Sequence, residues 1–385
     1  MNIFEKIEAI VEASGSGAIT EYFDKDQKAI GYFCSYIPEE VIHAAGFVPY
    51  RMRAVGSRGT QKGDVYFASI NCTFVRNCFD KVLHGDFSFL QGVVILNGCD
   101  HTRRIYDNWR HADVAPQFRY MFTAPHVIND LSKTEFTREI SAFITALEEN
   151  FKITIKEESL KESIRLYNRK RTLLKMIYDL RKEEKVPIHG SELLKIILAV
   201  TAIPVEKAIA LLEEVFEACR DRKVNTDNDL RLFISSGCME EPEHLELIEE
   251  CGAVIVADNL CLGSRHFDTL VDENLEPPRA LAERYLTHLS CPRMMNAFSD
   301  RLQYVNSIRS EFKVDAVIIE KLKFCDLWGG EIFITRREAA AREFPLLALE
   351  RELYGKDKGQ IKTRIQAFFE QVRNNQEIKD ELFTV

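Results

Sequence analysis

Short apolar runs alternate with amphipathic stretches along most of the chain. AIGYF (29–33) reads as a strand, followed by a turn holding Cys34 and Ser35 and a helix from Pro38. Proline suits a first helical turn, and Glu39 and Glu40 suit the helix dipole. Gly46 ends that helix, and FVPYRM (47–52) is the next strand. The first thirty residues before this read as helix, then loop. DVYFASINCTFVRNCFDKVLHG reads as helix around Cys72 and Cys78, followed by strand 91–96, helix 101–112, strand 117–122 and helix 133–150. This alternation predicts a parallel sheet with helices on its faces.

The pattern changes over 151–225. EESLKESIRLYNRKRTLLKMIYDLRKEE and PVEKAIALLEEVFEACRDRK are charged, amphipathic helices with no strand-like run between them. Alternation resumes with strands DLRLFISSG, AVIVADN, VDAVIIEKLKF and PLLALERE. The helices around them are PEHLELIEECG, RALAERYLTHL, SDRLQYVNSIRSEF, REAAAREF and the closing GQIKTRIQAFFEQVRNN. The expected fold class is α/β: an N-terminal α/β lobe over 1–150 with a helical N-terminus, a helical connecting segment over 151–225, and a C-terminal α/β lobe over 226–385.

Composition narrows the function. The 385 residues are 46% apolar and 29% charged, as in ordinary globular proteins, and enough for two or three domains. A net charge of −9 argues against nucleic-acid binding through the overall field. No run of 18 apolar residues predicts a membrane span. The start, MNIFEKIEAIVEASG, lacks a basic region followed by a long apolar stretch, so no secretion signal is expected. Ten cysteines without such a signal point to the cytoplasm, where they are thiols or metal ligands. They form no CxxC pair or ferredoxin run, so any metal site must be assembled from distant segments.

Ligands of open α/β sheets bind beyond the carboxyl ends of the strands. Cys99, Cys238 and Cys325 fall within a few residues of such ends, and Cys34 lies in a strand-to-helix turn. Cysteine is also a common buried filler, so core packing competes with ligation at each position. Cys72, on a predicted helix, can reach the same cleft, whereas Cys78, six residues on, faces elsewhere. Cys219, Cys251 and Cys291 read as core or surface thiols. HTRR (101–104) is either an anion site or a solvated helix face, EPEHLELIEE a solvated acidic face, and SRHFD (264–268) a polar stretch past a strand end. Neither GxxxxGK[ST] nor GxGxxG occurs, so this chain is not an obvious nucleotide binder.

GYFCSYIPEEVIHAAGFVPYRM, INCTFVRNC, ILNGCDHTRRIYDNW, KFCDLWGGE and LERELYGKDKGQIKTRIQAFFE together resemble the 2-hydroxyacyl-CoA dehydratase / benzoyl-CoA reductase family, from about residue 28 to the end. The resemblance implies two Rossmann-like (flavodoxin-like) lobes with a helical part, paired with a homologous second cluster subunit. It implies an iron–sulfur cluster, [4Fe–4S], held by Cys72, Cys99 and Cys325, with Asp100 and Asp326 as supporting or helix-capping groups. An ATP-hydrolysing partner would drive low-potential electrons onto an acyl-CoA thioester, and ATP would not be hydrolysed by this chain. In the reductases the electrons dearomatise benzoyl-CoA to a cyclic dienoyl-CoA. In the dehydratases one recycled electron makes a ketyl radical that lets a hydroxyl group leave. The chain looks most like the smaller cluster-binding subunit of an ATP-dependent benzoyl-CoA reductase. Ser35 and Glu39 are the candidate thioester or substrate contacts, with helix capping as the competing role. A further relative, the double-cubane cluster protein, implies extra thiols, for which Cys34, Cys78 and Cys238 are the candidates.

Overall fold

The structure, a computed structural model, describes residues 2–224, 226, 229–342 and 344–383, with side chains described as far as Asn375. The apolar runs form strands β1 (Lys28–Phe33), β2 (Phe47–Arg51), β3 (Leu90–Leu96), β4 (Phe118–Phe122), β5 (Leu230–Ser235), β6 (Ala253–Asn259), β7 (Ala316–Leu322) and β8 (Leu346–Arg351). Two four-stranded sheets result, ordered β2-β1-β3-β4 and β6-β5-β7-β8, with every pairing parallel. The α/β class and the two parallel-sheet lobes therefore stand. The central strands β1, β3, β5 and β7 are buried almost throughout, as helices on both faces require. The two sheets repeat one topology. In each, the strand order reverses between its first and third strands, which opens a crevice at their carboxyl ends.

The 151–225 stretch is helical, with long helices at Glu157–Asp179, Gly190–Val200 and Val205–Arg220. It does not stand apart from the lobes. Ile196 and Leu212 share one continuous core with Val93 of β3 and Ile318 of β7. Glu157–Asp179 also carries two buried cations into the first lobe. Lys170 Nζ lies 3.0 Å from Glu39, and Arg171 Nη2 lies 2.6 Å from Glu40 and 3.0 Å from the Tyr285 hydroxyl. Among the described residues no helix is long and apolar enough to cross a membrane.

Three local expectations change. Cys72 is not within a helix but is the residue that caps Thr73–Leu83. The helix expected at 337–344 begins eleven residues earlier and runs Asp326–Ala341. Gly329 and Gly330 hide it from propensity, yet Trp328, Glu331 and Ile332 keep the helical spacing of a buried stripe. The acidic segment EPEHLELIEE is solvated only in part. Glu241 is buried and pairs with Arg351, which also meets the Glu320 carboxylate; His244 lies 2.8 Å from Glu320.

Candidate metal centre

Cys72, Cys99 and Cys325 come together around one cavity of about 280 Å³. Each is the N-cap of a helix: Cys72 of Thr73–Leu83, Cys99 of Asp100–Ala112 and Cys325 of Asp326–Ala341. Cys99 follows β3 and Cys325 follows β7, the corresponding strands of the two sheets. Three helix N-termini therefore aim unpaired backbone N–H groups at the thiols. The Thr102 amide donates to Cys99 Sγ over 3.5 Å. The Phe74 and Val75 amides act on Cys72, and the Trp328 amide on Cys325. The N-cap positions beside Asp100 and Asp326 thus belong to cysteines, of which Cys99 makes a side-chain capping bond. The aspartates are the first residues inside their helices. Asp100 pairs with Arg103, and Asp326 raises the affinity of His101 for a proton against the stronger effect of burial.

His101 takes part in the same wall. The Cys72 amide donates to His101 Nδ1 over 2.8 Å, which joins the Cys72 turn to the Cys99 helix. His101 thus packs into the cavity wall, while Arg103 and Arg104 beside it stay partly exposed. His126 also lines the cavity and bonds through Nδ1 to the Arg293 carbonyl at 3.2 Å.

Burial pushes the thiols of Cys72 and Cys325 up to about 12, against the pull of the amides. A rise from 9 to about 12 opposes the thiolate by roughly 4 kcal/mol, more than the ~0.3–1 kcal/mol a helix N-terminus returns. A metal must displace these protons to bind. Among the described residues no three His, Cys, Asp or Glu side chains are gathered closely enough to hold a single ion. The cavity is also larger than one ion needs, since a water occupies only about 30 Å³. Three thiols spread around such a space fit a polynuclear cluster taking one thiolate per iron, with a fourth corner open.

The other named residues lie elsewhere. Ser35 is buried, and its hydroxyl donates to the Cys261 carbonyl at 2.9 Å. Glu39, in the first turn of Glu39–Ala44, accepts from the Tyr32 hydroxyl at 2.9 Å and from Lys170. Neither lines the cavity of the three cysteines. Cys78 and Cys238 face the buried Glu240, with Cys238 Sγ 3.9 Å from its carboxylate.

Cys34 instead lies within electrostatic reach of Cys261 and Cys291. Cys291 is thus no isolated core thiol. Cys261 is not among the cysteines expected to matter, although it follows the end of β6 as Cys99 follows β3. Arg265 Nη1 donates to Cys261 Sγ over 3.0 Å, so SRHFD is a buried wall of this second thiol group. The three thiols keep accessible surface while their chain neighbours Phe33, Ser35, Leu260, Leu262 and Ser290 are buried. Buried Arg51, Arg265 and Arg293 stand within electrostatic reach of these thiols, and each leaves a guanidinium nitrogen without a hydrogen-bond partner.

Trp328 joins the two thiol groups. Its amide faces Cys325, and the Arg265 guanidinium lies 5.6 Å from its ring centroid. Gly237 leaves the ring its room, since a Cβ there would stand 2.6 Å from Trp328 Nε1. Gly237→Ala is expected to cost about 1–3 kcal/mol through displacement of this rigid ring. Tryptophan fluorescence during urea unfolding checks it: an unchanged midpoint and spectrum would refute the packing argument.

Residues 34–372 match the family model described as 2-hydroxyglutaryl-CoA dehydratase, D-component. The chain is similar to a benzoyl-CoA reductase subunit of Thauera aromatica, 24% identical over 333 residues, 84% of this chain and 86% of that protein. It is similar to the (R)-phenyllactyl-CoA dehydratase beta subunit of Clostridium sporogenes, 24% identical over 376 residues, 95% of this chain and 98% of that protein. It is also similar to the (R)-2-hydroxyglutaryl-CoA dehydratase beta subunit of Acidaminococcus fermentans, 23% identical over 366 residues, 94% and 96% of the two chains. With the matched region taking in most of both lobes and all three capping cysteines, the chain belongs to the 2-hydroxyglutaryl-CoA dehydratase, D-component family.

Proposed function

We propose that this chain is the cluster-bearing subunit of an ATP-dependent benzoyl-CoA reductase. Cys72, Cys99 and Cys325 hold a [4Fe–4S] cluster, an ATP-hydrolysing partner delivers electrons, and a homologous second subunit completes the enzyme. The observation that carries this reading is the convergence of three N-capping thiols from two lobes on one cavity. When bound, the cluster supplies single electrons of low potential. The chain's own residues hold and tune it. The amides of Phe74, Val75, Thr102 and Trp328 point at the sulfurs and favour their anionic form. His101 fixes the Cys72 turn against the Cys99 helix.

Iron, acid-labile sulfide and electron use test this reading on the complex purified without oxygen. About four irons and four sulfides per copy of this chain are expected, with two electrons consumed per product from benzoyl-CoA. Many turnovers from a catalytic quantity of electrons, with a 2-hydroxyacyl-CoA as substrate, would replace the reductase by a dehydratase. Absence of iron would end the cluster reading.

A second reading is a larger iron–sulfur group, as in the double-cubane relative. The Cys34, Cys261 and Cys291 set favours it, with three buried arginines positioned to balance a large negative charge. Of the extra thiols that the resemblance makes candidates, Cys34, Cys78 and Cys238, only Cys34 belongs to the set. Clearly more than four irons per chain would select this reading.

A further inference from the structure

Eight carboxylates are buried among the described residues, and seven of them stand in an ion pair with Lys, Arg or His. Glu240 is the eighth. A buried carboxylate without a counter-charge is costly, so such a group is held for a reason other than stability. Its Oε1 accepts from the Ala54 amide at 2.7 Å and from the Tyr354 hydroxyl at 3.2 Å. Its Oε2 has only the Cys238 thiol, 3.9 Å away, and is the oxygen free to carry a proton.

Glu240 lies between the lobes, close to the candidate metal centre. The Cys78 thiol is within electrostatic reach of both Glu240 and Cys72. The segment holding Tyr354 touches the Cys72 helix directly, where the Leu353 amide donates to Thr73 Oγ1 over 2.8 Å. Tyr354 is half-buried and its hydroxyl bonds the enclosed carboxyl, so this residue spans from the carboxyl to the surface. Its backbone is left-handed, with φ 55°, and its amide is held by Glu241 at 2.8 Å. A non-glycine residue keeps that conformation only where its surroundings impose it.

We infer that Glu240 is the proton acceptor linked to reduction of the centre. As one electron enters from the low-potential donor, one proton passes from solvent through the Tyr354 hydroxyl to the Glu240 carboxylate. The proton leaves by the same route on oxidation, so the net charge of the interior is unchanged. Glu240 touches no reacting atom; it acts on the centre through its field. The inference rests on the cluster reading above.

The surroundings suit this exchange. Burial, opposed by the Ala54 amide and Arg53, pushes the carboxyl up to about 7. The titratable and charged groups facing it are Arg53 and Tyr50 from the first lobe, Cys78, Cys238, Glu241 and Tyr354. Arg53 spends one nitrogen on the Leu198 carbonyl at 2.8 Å and makes no salt bridge to Glu240. Both forms of the carboxyl are therefore accessible near neutrality.

The test is a reductive titration of the holo complex, followed by electron paramagnetic resonance from pH 6 to 8.5. The midpoint potential of the wild type is expected to fall as pH rises through about 7, as one proton accompanies each electron. Glu240→Gln keeps an oxygen for the Ala54 and Tyr354 bonds but cannot titrate. Its potential is expected to be flat with pH at unchanged iron content. Tyr354→Phe removes one donor to the carboxylate, so the bend is expected to move to higher pH; this variant decides the matter should the Gln variant not fold. Iron present with a pH-independent wild-type potential, or with the same slope in Glu240→Gln, would overturn the inference alone. An iron-free wild-type complex would overturn the cluster reading and the inference with it.

Discussion

Cys99→Ser is expected to reduce the iron of the purified complex from about four atoms per chain to a small remainder while leaving the fold intact. The separation of these effects follows from the capping geometry. Cys99 Sγ accepts from the Thr102 amide, and serine is among the preferred N-cap residues, so the helix Asp100–Ala112 keeps its cap. An alkoxide is a far poorer partner for iron than a thiolate, because the serine hydroxyl does not lose its proton as readily. Cys325→Ser should behave alike. Cys78→Ser is the control: that side chain is wholly buried and does not line the cavity, so it should lose stability and keep iron. Metal analysis beside a thermal melt reads both effects. Full iron in Cys99→Ser would remove it from the ligand set.

Arg171→Met should be the most destabilising single change considered, by about 3–5 kcal/mol, because it strands the Glu40 carboxylate in the interior. Both side chains are fully buried. The guanidinium lies 2.6 Å from Glu40, and the Tyr285 hydroxyl donates to the same carboxylate at 2.7 Å. The pair ties Glu157–Asp179 to the first lobe, so loss should loosen that helix before the sheets. Adding Glu40→Leu removes the stranded charge and should recover most of the loss. Urea midpoints of the two single variants and the double variant form the cycle. Equal losses in single and double variants would show that the charge pair is not the cause.

The sheet layout was legible because buried parallel strands are continuous apolar runs bounded by turns, and GVVIL and AVIVADN are such runs. The capping of three helices by cysteine was not legible, because cysteine is not a usual cap and its role depends on which helix it faces. The start of Asp326–Ala341 was hidden by the Gly329–Gly330 pair, whose cost is offset by the packing of Trp328 and Ile332. Cys261 could have been found by the rule that drew attention to Cys99 and Cys325, since it stands just beyond β6. Its grouping with Cys34 and Cys291 could not, because those positions meet only when the two lobes dock. The burial of Glu240 was likewise hidden: an acidic run gives no sign of which member turns inward.

Cys72, Cys99 and Cys325 belong to three distant stretches of chain, two in the first lobe and one in the second. During synthesis the first two thiols leave the ribosome long before the third, and no complete binding site exists in the interval. If these thiols hold the proposed cluster, its loading belongs at the end of biogenesis, after the second sheet has folded and settled against the first. On the proposed cluster reading, the loaded protein would carry a cross-link that joins its two halves, and the slowest step in losing the cofactor would become their parting rather than the release of any one bond.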